Sequence, residues 1–277
     1  FNHPVAFNPN EINSVSTAQE ALVASLNKYG TVKPDYMASL TGSTNENVLE
    51  ELKGKVYFNP LINEYEIRDK FVAGNVISKA DEVEQISKQT PNDTQVAESL
   101  KALKDAIPQP IAFDDLDFNF GERWIPRHIL EKYASHLFNT EITIGYAASR
   151  DEFSVSGKTN IQINDQYAVK SQSRTFNGLA LMKHALHNTS PDITKKILVN
   201  GKEVKVRDGQ AIQLANSKID EIRTGFSDWL REQSPEFKDR LADLYNRTFN
   251  CFVRPDYDGS HQTFPNLDLK GLGITDL

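Results

Sequence analysis

Lys55-Val-Tyr-Phe-Asn59, Pro60-Leu-Ile-Asn63 and Glu64-Tyr-Glu-Ile67 read as two short strands around a tight turn. Tyr57, Phe58, Tyr65 and Ile67 supply the aromatic and β-branched residues of a small pleated surface, and Pro60 and Asn63 supply the turn chemistry. Upstream, residues 16–30 read as a helix: Thr17 and Glu20 form a capping-box pattern, Leu22, Val23 and Leu26 follow, and Gly30 closes it. A second helix is expected over residues 34–40, with Pro34 in its first turn and Thr41-Gly42 as its stop. Ser43 with Glu46 is expected to open a third, over residues 44–53, with Val48, Leu49 and Leu52 on one face and Gly54 after it.

Three helices followed by a two-stranded hairpin is the element order of a winged helix-turn-helix. The third helix would be the one that reads DNA, yet it offers Asn45, Glu46, Asn47, Glu50 and Glu51 to solvent. Helices that enter the major groove bring Arg or Lys to phosphates and base edges, and carboxylates there are repelled. The expectation is a winged helix that is structural or contacts protein.

Beyond the hairpin, residues 76–88 and 94–106 read as antiparallel helices joined around Pro91-Asn92-Asp93, with Val96, Leu100 and Leu103 in one stripe. Ile107-Pro-Gln-Pro-Ile111 is a stiff linker, because neither proline continues a helix. After it come a helix over 126–138, strands over 141–146, 152–156 and 160–163, and a helix over 176–187. A hairpin follows around Asn200-Gly201, then helices over 209–233 and 235–249. The fold class expected is α+β and multidomain: a helical, winged-helix-like part over residues 1–107, an α+β part with small antiparallel sheets over 112–255, and an extended segment over 256–277.

The 277 residues carry a formal charge of −7, which argues against nonspecific coating of nucleic acid by the overall field. The charge is unevenly spread. Residues 1–110 hold 10 Lys and Arg against 15 Asp and Glu, whereas residues 168–207 hold Lys170, Arg174, Lys183, Lys195, Lys196, Lys202, Lys205 and Arg207 against only Asp192 and Glu203. With His184 beside them, these cations form the one candidate nucleic-acid surface: gathered along one groove they would track a phosphate backbone, and spread around a hairpin they would only keep its edges soluble. No run approaches the roughly 20 apolar residues of a membrane span, no secretory leader is legible, and the single cysteine fits a reducing cytoplasm. Cys251, between aromatics, reads as a buried structural thiol.

Catalytic motifs fail one by one. Ser156-Gly157-Lys158-Thr159 resembles the end of a phosphate-binding loop, but that loop needs a glycine where Glu152 stands. His184 and His187 lie three apart on one helix without a third ligand nearby in sequence. Asp114, Asp115 and Asp117 lack the glycine-ordered loop and distal carboxylate of a cation site. No Gly-x-Ser-x-Gly elbow and no His-Glu-x-x-His occurs. Neither Asn8-Pro9 nor Asn59-Pro60 completes an Asn-Pro-Pro-Tyr motif.

Phe118-Asn-Phe-Gly-Glu-Arg-Trp-Ile-Pro126, Ala134-Ser-His-Leu-Phe138, Leu181-Met-Lys-His-Ala-Leu-His-Asn-Thr189 and Arg254-Pro-Asp-Tyr-Asp-Gly-Ser-His-Gln-Thr-Phe-Pro265 resemble the linker region of large DNA methyltransferase–Snf-type helicase proteins. These proteins are carried by phages and conjugative elements, notably in Bacteroidetes. Ala38-Ser-Leu-Thr-Gly42, Glu50-Glu-Leu-Lys-Gly54 and Gly74-Asn-Val76 resemble the same family. The resemblance implies an adenine-specific methyltransferase module before this stretch and an ATPase after it. ATP with Mg²⁺ and S-adenosylmethionine would be cofactors of those modules and of no residue here. It implies a non-catalytic, cytoplasmic region with no membrane contact, whose partners are DNA and the flanking modules; the alternative is a protein-interaction scaffold without DNA affinity. Phe1 is not an initiator Met, and the stretch reads as part of a longer polypeptide. Tyr257, His261 and Phe264 are then expected to dock on the ATPase or on this region's own surface.

Overall fold

The structure is a computed structural model and describes residues 12–255 apart from Ser173. The described residues fall into two compact units, 12–110 with 249–255, and Ile111–Thr248.

The first unit opens with α1 (Ala18–Tyr29), α2 (Pro34–Thr41) and α3 (Asn45–Glu51), then the hairpin β1 (Val56–Asn59) and β2 (Glu64–Ile67). The capping box forms as its residues require. The Thr17 hydroxyl accepts from the Glu20 amide at 3.2 Å, and the Glu20 carboxylate takes the Thr17 and Ser16 amides at 3.3 and 2.9 Å. Gly30 and Gly42 close α1 and α2 in the left-handed region. One start signal is displaced. Ser43 donates its amide to Ala38 O in the closure of α2, so Thr44 caps α3 instead and accepts the Asn47 amide at 3.3 Å.

β1 and β2 pair antiparallel in the register Val56↔Ile67 to Asn59↔Glu64, and a single bridge, Val32↔Tyr65, adds the third strand position of a winged-helix sheet. The core of this layer is Ala21, Leu22, Met37, Leu40, Val48, Leu52 and Val56. At the turn, buried Asn59 donates to the Glu66 carboxylate at 2.8 Å, and Lys70 lies 2.9 Å from it. Burial pushes the Glu66 carboxyl up, but the Asn59 and Lys70 hydrogen bonds outweigh it, and the group is held below the ordinary glutamate range.

A short α4 (Arg68–Phe71), β3 (Gly74–Asn75), α5 (Val76–Gln89) and α6 (Thr94–Ala106) complete this part of the chain. Phe71, Val83 and Leu103 are fully buried in a second small core. α6 lies against β1: Ser99 Oγ donates to Phe58 O at 2.6 Å, Tyr65 donates to Gln95 Oε1 at 3.0 Å, and Lys53 pairs with Glu98 at 2.8 Å.

The second unit contains α7 (Arg127–Phe138), β4 (Ile142–Ala147), β5 (Glu152–Gly157), β6 (Val169–Lys170), β7 (Thr175–Phe176), α8 (Gly178–His187), β8 (Thr194–Val199), β9 (Lys202–Arg207), α9 (Gly209–Arg231) and α10 (Pro235–Phe249). Its core is built on aromatic rings: Phe120, Tyr133, Phe226 and Trp229 pack edge to face or tilted except for stacked Phe226 and Trp229, and the buried Tyr133 hydroxyl donates to Ile222 O at 2.5 Å. Gly121 has φ +94°, and a Cβ there would stand 2.1 Å from Leu186 O, so only glycine lets the two segments close.

The strand expected over 160–163 is instead one π-helical turn, Gln162–Gln166. Ile161 and Ile163 alternate as in a strand, but Asn160 caps the turn by accepting the Ile163 amide at 3.0 Å and donates its own side chain to Phe138 O. Ser156 and Gly157 end β5, paired with Thr143 and Ile142, and no long helix starts beside them as a phosphate-binding loop requires.

Finally, β10 (Phe252–Val253) pairs antiparallel with β3, and the Val76 amide donates to Cys251 O at 3.0 Å. Residues 249–255, placed with the second part by their sequence, thus pack in the first unit, and Ile111–Thr248 is an insertion in that unit's chain path. Cys251 is buried.

Candidate nucleic-acid interface

The basic stretch centres on the β8–β9 hairpin. Asn200 and Gly201 take φ values of 50° and 78°, the left-handed pair that a two-residue turn between twisted strands demands. The hairpin belongs to no larger sheet, and from Lys196 to Lys205 every residue is exposed. Cross-strand pairs run from Thr194↔Arg207 to Val199↔Lys202. Because side chains alternate, Lys196, Lys205 and Arg207 share one face with Thr194, Leu198 and Glu203. Lys195 and Lys202 stand on the other, with Ile197, Val199, Val204 and Val206. The hairpin cations are therefore divided between two faces, and apolar Leu198, one pair back from the turn, is 75% exposed.

Lys170 and Arg174 flank the β6–β7 turn. Gln172 in that turn accepts the Lys196 amide at 2.7 Å, which sets the turn alongside the basic face. The Arg174 guanidinium lies 4.1 Å from the Phe176 ring centroid, and the residue is exposed. Lys183 and His184 sit on α8, over a shallow cleft that they share with Arg150, Asp151 and Thr189. Arg150, in the β4–β5 turn, lies outside the sequence window of the basic stretch; the Glu152–Lys183 pairing of β5 with α8 brings it there.

Five of the eight cations have carboxylate partners: Lys170–Asp165 at 3.0 Å, Lys183–Glu152 at 2.8 Å, Lys195–Asp208 at 3.5 Å, Lys196–Glu203 at 2.7 Å and Arg207–Asp192 at 3.5 Å. Among the described residues Arg174, Lys202 and Lys205 have none. Most of these pairs are well exposed, and such pairs contribute about 0–1 kcal/mol, so phosphate oxygens compete for them readily.

The two histidines behave differently. His187 is used at both ring nitrogens: Nδ1 donates to Lys183 O at 2.8 Å and Nε2 accepts the Phe153 amide at 3.1 Å. That fixes one neutral tautomer and leaves no lone pair for a metal. His184 Nδ1 lies 2.9 Å from Thr189 Oγ1, and burial first, then the charges of Lys183 and Arg174, pushes its pKa below the usual histidine value. His184 thus stands beside the cations with a hydrogen bond to Thr189. Among the described residues no three His, Cys, Asp or Glu side chains converge on a metal position. Tyr257, His261 and Phe264 lie outside the described residues.

The helices and hairpin of residues 12–67 are a winged helix by element order, pairing and core. Residues 14–66 match a family model described as "Probable helicase, winged helix domain". This stretch is a winged helix similar to those of probable helicases. Residues 119–251, which include the whole basic hairpin, match the model of a domain of unknown function, DUF8437. No curated protein and no solved structure matches the chain. No helix among the described residues is long and apolar enough to cross a membrane.

Proposed function

We propose that the chain is a non-catalytic region of a DNA methyltransferase–helicase protein of a mobile element, and that it contacts DNA through the β8–β9 hairpin while holding the flanking modules in register. The observation that carries this reading is the projecting two-stranded ribbon with Lys196, Lys205 and Arg207 on one face and Arg174 set beside it. Two-stranded ribbons fit the major groove, and lysines along one face meet phosphates on its walls. The match to a helicase-associated winged helix supports the setting. ATP with Mg²⁺ and S-adenosylmethionine belong to the neighbouring modules in this reading, and the residues here act by charge and position alone.

The test is binding of a labelled duplex to the chain at low salt, repeated with Lys195→Glu plus Lys196→Glu. Loss of binding in the double variant supports the hairpin as the contact. Unchanged affinity overturns that placement. Absence of binding by the unaltered chain favours a protein-interaction scaffold, a reading to which the acidic surface of α3 lends weight.

A further inference from the structure

The winged helix carries a groove of about 640 Å³ between α3, the β1–β2 hairpin and α6, built wholly within the first unit. Its floor is apolar and half-buried: Leu49, Tyr57, Phe58 and Tyr65. Its rim is acidic and exposed, with Asp35 and Glu46 at one end and Glu50 and Glu98 at the other. One cation, Lys53, stands between the last two, 3.8 Å from Glu50 and 2.8 Å from Glu98, and its pKa is raised by the Glu98 hydrogen bond and then by the charge of Glu50. Asp35 and Glu46 have no cation among the described residues; Asp35 takes only the Asn45 amide, at 2.6 Å.

This is the position from which a DNA-reading winged helix would meet the duplex. Here α6 walls it, through Ser99 on Phe58, Gln95 on Tyr65 and Glu98 on Lys53, and four carboxylates face outward. A polyanion is repelled from such a surface. We infer that the groove docks a basic segment of a partner protein, in which Lys or Arg side chains flank apolar residues. The apolar side chains would cover Leu49, Tyr57 and Tyr65, and the ammonium or guanidinium groups would reach Asp35 and Glu46 as Lys53 already reaches Glu98. Charge complementarity selects this occupant, because the rim carries four carboxylates against one ammonium while the floor is uncharged.

The experiment uses the full chain and a fluorescein-labelled hexapeptide alternating lysine pairs with leucine, beside its glutamate counterpart, at low salt. Anisotropy reads affinity, and amide chemical shifts read the site. The expected result is binding of the lysine peptide alone, with shifts at Leu49, Tyr57 and Tyr65. Asp35→Asn with Glu46→Gln should weaken it about tenfold, whereas Glu232→Gln with Asp239→Asn, acids of the other unit, should leave it unchanged. No binding, equal loss in both double variants, or the same shifts produced by duplex DNA would each overturn the proposal. The unaltered amide spectrum of each variant elsewhere confirms that it is folded.

Discussion

Lys196 and Lys205 stand directly opposite each other on one face of the β8–β9 hairpin, and the Glu203 carboxylate lies 2.7 Å from the Lys196 ammonium. Like charges at opposed positions cost a ribbon stability, and Glu203 offsets only one of them. A bound phosphate would relieve both. Glu203→Gln should therefore tighten duplex binding by roughly two- to fivefold, since Lys196 no longer has to leave a partner. Anisotropy titration against one duplex at fixed salt checks this, and weaker binding would count against the hairpin as the contact.

The winged helix should be silent in the same assay. Asn47 lies on the exposed side of α3, where a recognition helix would present a base-reading amide. With Glu46, Glu50 and Glu51 around it, Asn47→Ala is expected to change duplex affinity by less than about twofold. A tenfold loss would return DNA reading to α3.

Both tryptophans, Trp124 and Trp229, lie in the second unit, so tryptophan fluorescence follows that unit alone during unfolding in urea. Gly121→Ala forces a Cβ against Leu186 O at a left-handed φ and should destabilise this unit by roughly 2–4 kcal/mol. The fluorescence midpoint should fall accordingly, while amide signals from Phe71, Val83 and Leu103 in the first unit keep their midpoint. Equal loss in both units would show that the two cores unfold together.

Asp151 accepts a two-pronged hydrogen bond from Arg123 and a third from Tyr146 at 2.6 Å. The Arg123 and Tyr146 hydrogen bonds hold its carboxyl at about 2, below the ordinary aspartate value. A carboxyl depressed in the folded state stabilises it above the unfolded pKa, near 4, and that contribution is lost as pH falls through about 2. Asp151→Asn should lower the urea midpoint at about pH 7, and the difference from the unaltered chain should shrink towards zero at about pH 2. A pH-independent difference would assign the loss to packing.

What was legible in the residues was what local chemistry decides. Thr17 with Glu20, Gly30, Pro34 and Asn200-Gly201 each act on backbone groups within four positions, and the elements they mark form as expected. Signals shared between neighbours were misassigned: Ser43 and Thr44 are both good caps, and only the use of Ser43 in closing α2 decides between them. Ile161 and Ile163 alternate as in a strand while Asn160 supplies a helical cap, and the cap prevails. The pairing of β10 with β3 spans about 180 residues of chain with two residues a side, too short for any periodicity to announce it. The candidate interface was legible as a run of cations. Its division into two faces and the pairing of Lys170, Lys183 and Lys195 with Asp165, Glu152 and Asp208 depend on tertiary contacts that a charge count does not weigh.

The most direct test of hairpin contact with DNA is the salt dependence of duplex affinity. Lys205 lies on the proposed contact face and Arg174 beside it, and neither has a carboxylate partner among the described residues, so each can neutralise a phosphate. Replacing both with alanine should reduce the slope of log K against log salt by about 2, at about 0.9 per phosphate contact. The account predicts that shallower slope together with weaker binding. An unchanged slope would contradict it.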